Sequence, residues 1–581
     1  MVEYERLLRV ARGDDPADLV IRSGTLLNVV TRDSYPATVG ICDDTIAYVT
    51  DPDDALVTGR RTIDADGMYL APGLIDSHMH IESTHATPEH FAAAVVPRGI
   101  TTVAQDPHEM ANVLGIDGVR YMIEASQGLP LRVLTFVPTC VPSVPGLETS
   151  GAEFTAKEVG ELLDHADTIG LAEVMDYWGV IRQSPRITEI VKAGRKRGVI
   201  LTGHIRGLGG RELNTYLAAG IDSDHEFLSP EGITARARLG MTVEICCTLH
   251  RDNIAAAVES WKTHGHLEGV VFVTDDIPPH ELVREGHLDR GVRRAICLGM
   301  SPVDAVRAAT WAPARRLRRP DLGCIAPGRR ADLLVVDDIK AFHVHLTIAS
   351  GEIVAEDGKM LVPPAPKVAP TASMRSSVRL GPTDAHDFSM CSSSAPEVAT
   401  TVLTQRGRGL ETQNLRVEDG RVLWQDHADL AMATVWHRHG HNANRFAILI
   451  SGSGLQRGAL ATTYAHDSHN LVVIGRDPDS MALAANTLIA SGGGYVAVSD
   501  GQVDAMASLP VAGLLSSRPV TALASEFQQF IEAASNLGVD EDPLGLLTSL
   551  PLPVVPKYRP TDMGLVDVDK QRIITNQVSI D

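Results

Sequence analysis

From residue 71 to about residue 275 the chain alternates short apolar runs with amphipathic or alanine-rich stretches, eight times over. The apolar runs are Gly73–Ser77, Thr101–Asp106, Arg132–Pro138, Ile169–Met175, Val199–His204, Ile221–His225, Met241–Cys246 and Val270–Thr274. Helical stretches lie between them, among them Pro88–Val96, Val113–Ala125, Ala156–His165, Thr188–Arg197 and Arg211–Ala219. Eight β/α units in about 230 residues are the pattern of a TIM-type (β/α)8 barrel, within an α/β fold class. Two more helical stretches, Leu282–Leu298 and Pro302–Leu317, follow.

The flanks read differently. Residues 18–70 alternate short strands and turns, and β character returns from Leu322 through the strand around Ile353. These pieces are expected to pair, so that 1–70 plus 322–360 form one small discontinuous β-domain around a 71–321 barrel. Residues 361–384 are rich in proline and read as a linker. Residues 385–581 form an additional C-terminal α/β domain, with strand candidates Phe446–Ile450, Leu471–Ile474 and Tyr495–Val498.

The formal charge is −21, from 52 Lys+Arg against 73 Asp+Glu. Such an acidic surface disfavours nucleic acid or an anionic membrane as partner. Seven scattered cysteines, with no C-x-x-C pair, make no disulfide framework. Met1–Arg12 has no apolar leader core, and no run of about 18 apolar residues occurs. A cytoplasmic protein is expected.

Polar residues gather where the barrel strands end, at the face where such barrels carry their sites. Strand 1 ends in His78-Met79-His80, and side chains two apart on an extended segment share a face. Strand 2 ends in Asp106-Pro-His108-Glu109, strand 4 carries Glu173, and strand 5 ends in His204. Strand 6 ends in Asp224-His225-Glu226 and strand 8 in Thr274-Asp275-Asp276. Singly, each is more often a core histidine, a buried ion pair or a helix cap. Together, four histidines, one glutamate and one aspartate suffice for two divalent cations with an open position for water.

These motifs carry a resemblance. Pro72–His80 with His204, His225, Thr274-Asp275-Asp276 and the Ile325-Ala-Pro-Gly-Arg-Arg-Ala-Asp-Leu return strand resembles the amidohydrolase superfamily. More narrowly the chain resembles the bacterial adenine deaminases. That likeness rests on His80-Ile-Glu-Ser, Asp106-Pro-His-Glu-Met-Ala-Asn-Val-Leu-Gly, Gly170-Leu-Ala-Glu, Ser223-Asp-His-Glu, Glu285-Gly-His-Leu-Asp and Ala465-His-Asp-Ser-His-Asn. It runs from about residue 18 to 570.

The resemblance implies that His78 and His80 bind a more buried metal, that Glu173 bridges, and that His204 and His225 bind a second. Asp275 would touch a metal and shuttle protons. The implied reaction is adenine plus water to hypoxanthine plus ammonia, through a metal-bridging hydroxide that attacks C6. His108 and Glu109 would polarise or protonate the purine; Glu82, Asp276 and Arg206 would line its binding site. Mn2+ or Fe2+ is the expected pair of ions, with Zn2+ the alternative. The partner is a small purine base, and a homo-oligomer, dimer or higher, is expected. Mononuclear deaminases of the superfamily place a glutamate three residues after the strand-5 histidine; Gly207 stands there, which favours the bridged pair.

Three loops depart from the family pattern: Ile205-Arg206-Gly207 for Ala-Pro-Gly, Val174-Met175-Asp176 for Met-Met-Asn, and Ile277-Pro278-Pro279 for Arg-His-Pro. All lie above the barrel mouth and bear on which purine is taken. The alternatives are a deaminase of another amino-purine, a cyclic amidohydrolase with the same metals, or a non-catalytic barrel scaffold. Arg206 either reaches the purine or pairs with a loop carboxylate. Elsewhere, His437, His439 and His441 read as a polar, solvent-facing strand edge, and Cys246-Cys247 as buried small residues. Gly492-Gly-Gly reads as a turn. His466–Asn470 reads as a structural turn, with reach into the active site as the alternative.

Overall fold

The computed structural model describes residues 3–226, 228–265, 268–392 and 396–574. Eight parallel barrel strands are present: β1 (Leu74–Met79), β2 (Ile100–Gln105), β3 (Arg132–Val137), β4 (Thr168–Val174), β5 (Ile200–Gly203), β6 (Ser223–Asp224), β7 (Thr242–Cys246) and β8 (Val270–Val273). β1 to β5 form one ladder and β6 to β8 another. The ring closes between β8 and β1 through a parallel bridge of Met79 with Asp275. At the opposite seam, Asp222 N–H reaches the Leu201 carbonyl at 3.2 Å and Gly203 N–H the Ser223 hydroxyl at 3.2 Å.

β6 is shorter than its apolar run predicts, and Asp224 explains why. Its Oδ1 accepts from the backbone N–H of Ile205 at 3.0 Å and of Glu226 at 3.3 Å. Oδ2 takes the Arg236 guanidinium at 2.6 Å. A side chain has thus taken amides that a ladder would use. The single helix expected over Val113–Ala125 is two, His108–Leu114 and Ile116–Ala125, split at Gly115. Gly115 has φ 64 and ψ −142, a conformation that only glycine adopts cheaply.

The N-terminal strands Ala17–Asn28, Asp33–Cys42, Thr45–Thr50, Gly59–Asp64 and Tyr69–Pro72 share one nine-stranded sheet with four strands from Leu333 to Met360. The join is antiparallel, Tyr69–Pro72 against Leu333–Val336. The barrel therefore begins and ends on this sheet.

The C-terminal region is a second nine-stranded sheet, mostly antiparallel, with helices Pro478–Ser491 and Val520–Asn536 against it. Leu471–Gly475 is buried along its whole length, which is why it reads as an unbroken apolar run. One face meets Pro478–Ser491. The other merges with the barrel: Phe91, Val95 and Ile100 share a continuous core with Ile448, Ile474, Tyr495, Phe527 and Phe530. Each such side chain contributes about 1.5–3 kcal/mol on burial. The proline-rich stretch is seated as well, since Met374 enters this core and Arg379 N–H bonds the Arg438 carbonyl at 2.8 Å. No described helix is long and apolar enough to cross a membrane.

Closure of the ring depends on Asp76, fully buried beneath the strand ends. Its Oδ2 accepts from Thr274 Oγ1 at 2.6 Å and Thr274 N at 3.1 Å, and its Oδ1 from His78 N at 3.2 Å. Thr274→Val removes one donor and leaves the carboxyl under-satisfied, a cost of about 1–3 kcal/mol. The expected result is a lower melting temperature at equal metal content; an unchanged melting curve would remove this pair from the closure.

Candidate active site

Asp76, His78 and His80 alternate along β1 and so present one face to the barrel mouth. The His78 ring stacks on His225, with centroids 4.2 Å apart and 19° between planes. His80 Nδ1 donates to the Asp106 carbonyl at 3.0 Å. That bond fixes the tautomer and frees Nε2, which lies 3.2 Å from Asp275 Oδ1 and 3.7 Å from Glu173 Oε1.

Glu173 is the centre of the cluster. Its Oε2 faces His204 Nδ1 at 2.8 Å and His225 Nε2 at 3.1 Å; its Oε1 faces His80 and also His108 Nδ1 at 3.6 Å. The two facing ring nitrogens of His204 and His225 are 3.0 Å apart. Both nitrogens of His78 and Nδ1 of His225 are buried with no hydrogen-bond partner. Buried polar atoms are normally satisfied. Two groups of potential ligand atoms, His78–His225–Asp275 and Glu173–His204–His225, converge here with every member buried. The donors are imidazole and carboxylate, and each neutral imidazole offers one ring-nitrogen lone pair to a cation. The residues fit divalent cations.

Asp275 sits at the end of β8 with φ 60, a left-handed conformation unusual for aspartate. Its N–H reaches the His78 carbonyl at 3.2 Å and its carbonyl accepts from His80 N–H at 3.3 Å. Its side chain is gripped by the Arg251 guanidinium at Oδ2, while Oδ1 turns to His80. Burial would raise this carboxyl; Arg251 holds it well below the ordinary carboxylate range.

The second wall begins at the end of β2, where His108 Nδ1 lies 3.1 Å from Asp106 Oδ2. Glu109 turns toward the C-terminal domain, with its Oε1 3.6 Å from His108 Nε2. Its Oε1 accepts from Tyr464 OH at 3.1 Å and from His466 Nδ1 at 2.8 Å, and its Oε2 contacts His469 Nε2. Burial alone would lower His466, but Glu109 raises it to about 9. Burial pushes His469 down to about 4, so at neutral pH His466 carries the counter-charge and His469 is a neutral donor. The His466–Asn470 segment therefore reaches the site, and the reading as a mere structural turn is corrected. Asp467 comes to 3.9 Å from His108 Nε2.

Glu82 is fully buried beside this wall, its carboxyl pushed up to about 8 by burial. Its Oε1 accepts from Met110 N–H at 3.4 Å. Asp276 is half-buried, 3.9 Å from His466 Nε2. Arg206 turns to a loop carboxylate: its Nε lies 2.8 Å from Glu226 Oε2, and Glu226 Oε1 lies 3.1 Å from His204 Nε2. The sequence reading assigned no role to Asp106, Glu226, Arg251 or Tyr464. Asp106 stood in the strand-2 motif and could have been found; Arg251 follows β7 in a loop with no periodic signal.

His437, His439 and His441 correct another expectation. They follow the strand Leu430–Trp436 and two of them are buried, so they are no solvent-facing strand edge. They clamp loops instead. His439 Nε2 donates to the Ser468 carbonyl at 2.8 Å, His441 Nε2 to the Gly151 carbonyl at 2.9 Å, and His437 Nδ1 meets Thr149 Oγ1 at 3.1 Å. Cys246 and Cys247 are buried, and Gly492–Gly494 turns the chain out of its helix, both as expected.

Comparison with known proteins agrees with this architecture. Residues 69–354 match the amidohydrolase family and residues 406–572 the adenine deaminase C-terminal domain. Adenine deaminase 2 of Rhizobium meliloti (strain 1021) is 42% identical over 534 residues, 92% of this chain and 89% of the relative. Adenine deaminase 2 of Agrobacterium fabrum (strain C58 / ATCC 33970) is 41% identical over 581 residues, 99% of this chain and 96% of the relative. Adenine deaminase of Methanothrix thermoacetophila is 37% identical over 579 residues, covering 98% of each.

The outer wall of the cluster carries one more buried acid, Glu148, on the loop after β3. Its Oε1 accepts from Ser143 Oγ and from Val144 N–H at 3.3 Å, while Oε2 has no partner. Burial, reinforced by Asp467, pushes this carboxyl up to about 8 from 4.5. The folded chain thus keeps a proton that the unfolded chain has already lost, so its contribution to stability is full below pH 4.5 and is lost as pH rises toward about 8. Glu148→Gln is neutral in both states. Its melting temperature relative to wild type should climb across that window; a difference independent of pH would refute the buried neutral carboxyl.

Proposed function

Since the chain belongs to the adenine deaminase family of the amidohydrolases, we propose that it hydrolyses adenine to hypoxanthine and ammonia at the cluster around Glu173. The observation that carries this reading is the convergence of four strand-end histidines on two carboxylates, with buried ring nitrogens left unpaired. In it, His78, His80 and Asp275 would hold one divalent ion and His204 and His225 a second, with Glu173 as a carboxylate available to both. Mn2+ or Fe2+ is the proposed pair, with Zn2+ also suited to imidazole and carboxylate donors. Bound there, the ions would supply Lewis-acid activation of water near neutral pH.

The chain's own residues do the rest. Water adds at C6 of the purine and the exocyclic amine leaves as ammonia, so both protons leave the water oxygen, one to end on the ring nitrogen beside C6 and one to reach the amine. Asp275 can carry it, since Arg251 fixes Oδ2 and leaves Oδ1 turned to the reacting centre. Glu109, kept anionic by the facing histidines, accepts a ring N–H of the base. His108, steadied by Asp106, donates to a ring nitrogen as electron density builds there. Glu82, bonded to the Met110 amide, and Asp276, beside His466, would stand next to the base. Arg206 contributes through Glu226 to the setting of His204 rather than by touching the base.

The test is an ultraviolet assay of adenine beside a panel of other purines, with ammonia measured and metal content determined on the same protein. Ammonia from adenine with about two ions per chain is expected. No ammonia from fully loaded protein would shift the assignment to another amino-purine or to ring opening. Glu173→Gln should lose bound metal and activity together, because the shape stays and the bridging charge goes. Asp275→Asn should lower kcat by about 10²–10⁴-fold, the usual worth of a general acid–base step. A near-normal kcat would exclude Asp275 as the proton carrier.

A further inference from the structure

Arg438 is fully buried in the C-terminal domain, and no carboxylate lies within ion-pair distance of it among the described residues. A buried cation without a counter-charge is costly. It is retained here by saturating its donors on turns distant in sequence. Nη1 reaches Ser377 Oγ at 3.1 Å, Nη2 the carbonyls of Ala512 at 2.9 Å and Thr463 at 3.4 Å, and Nε the carbonyl of His469. Two of those carbonyls, Thr463 and His469, bracket one short segment. The segment from Tyr464 to His469 carries the three side chains on Glu109: Tyr464, His466 and His469. His439 holds the same segment through the Ser468 carbonyl.

We propose that the Tyr464–His469 segment, anchored by Arg438, is a positioning clamp that the C-terminal domain places on Glu109 of the barrel. Glu109 stands directly after the end of β2, on the first turn of a seven-residue helix, and no described residue of the barrel other than His108 pairs with its carboxylate. Three donors on two oxygens leave it one rotamer. The same carboxylate lies 3.6 Å from His108 Nε2 through Oε1, so the clamp also sets Glu109 against His108. Tyr464, His466 and His469 are positioning residues; they act through Glu109. The inference rests on the proposed role of Glu109 toward a purine.

The experiment uses the full chain loaded with Mn2+ and compares His469→Leu with His469→Gln. Gln keeps an N–H where Nε2 stands; Leu does not. His469→Leu should lose about 10- to 100-fold in kcat/KM for adenine, the worth of a hydrogen bond to a charged group. The loss should fall mainly on kcat, since the hold on the purine tightens as charge develops. Metal content should be unchanged, and His469→Gln should recover most of the loss. Hydrogen exchange of the amides in 107–114 should quicken in the Leu variant and not in the Gln variant. Wild-type kinetics with unchanged exchange in the Leu variant overturns the clamp, as does an equal loss in both variants without faster exchange. Should His469→Leu not fold, Tyr464→Phe removes a single hydroxyl from the same carboxylate and is read identically. A wild-type protein that releases no ammonia from adenine defeats the adenine assignment alone, because the exchange comparison still decides the clamp.

Discussion

The site depends on where β8 meets β1. Asp275 exchanges backbone hydrogen bonds with His78 and His80 on the neighbouring strand, and it does so in a left-handed conformation. Three side chains with ligand atoms are thereby set by one stretch of backbone. Beneath them Asp76 ties Thr274 to the His78 amide. The strain at Asp275 is stored where strand pairing over-determines it, the usual condition for such a residue to persist at a working site.

Around that seam the chain gathers groups that repel one another or resist burial. Glu173, Asp275, Glu226, Glu109 and Asp106 lie within one buried cluster with His78, His80, His108, His204 and His225. Opposite charges are apportioned by pairs: Arg251 to Asp275, Arg206 to Glu226, His466 to Glu109. In the first pair, Asp275 Oδ2 is held by Arg251 while Oδ1 turns to His80. The polar wall is therefore ordered before any substrate arrives, which lowers the reorganisation needed during reaction.

The barrel was legible because its signal is local. Eight apolar runs, five of them ending in a polar residue, fall on the eight observed strands with small shifts at their ends, and only β6 is markedly shorter, for the side-chain reason given by Asp224. The histidines among the metal-ligand candidates stood out for the same reason, since His204 and His225 close a run and His78 and His80 follow one, while Glu173 lies within one. The second wall was not. The contact of His469 with Glu109 spans 360 residues, and nothing near His469 announces it. His437, His439 and His441 looked solvated because histidines at alternate positions fit a polar edge; the burial of His437 and His439 follows from the loops they hold. Arg251 is isolated in a loop, and its partner Asp275 lies a whole β/α unit away.

The continuous core between Phe91 and Phe527 has a meaning for the history of such chains. Modules that shuffle between proteins meet across wet, polar, separable boundaries. Here the boundary is an oil-filled one, crossed also by the backbone pairing of Ala86 with Ser516. Neither half could be traded for an unrelated neighbour without leaving an apolar face bare to water. A change of side-chain volume on one side of that seam is therefore felt by the packing on the other.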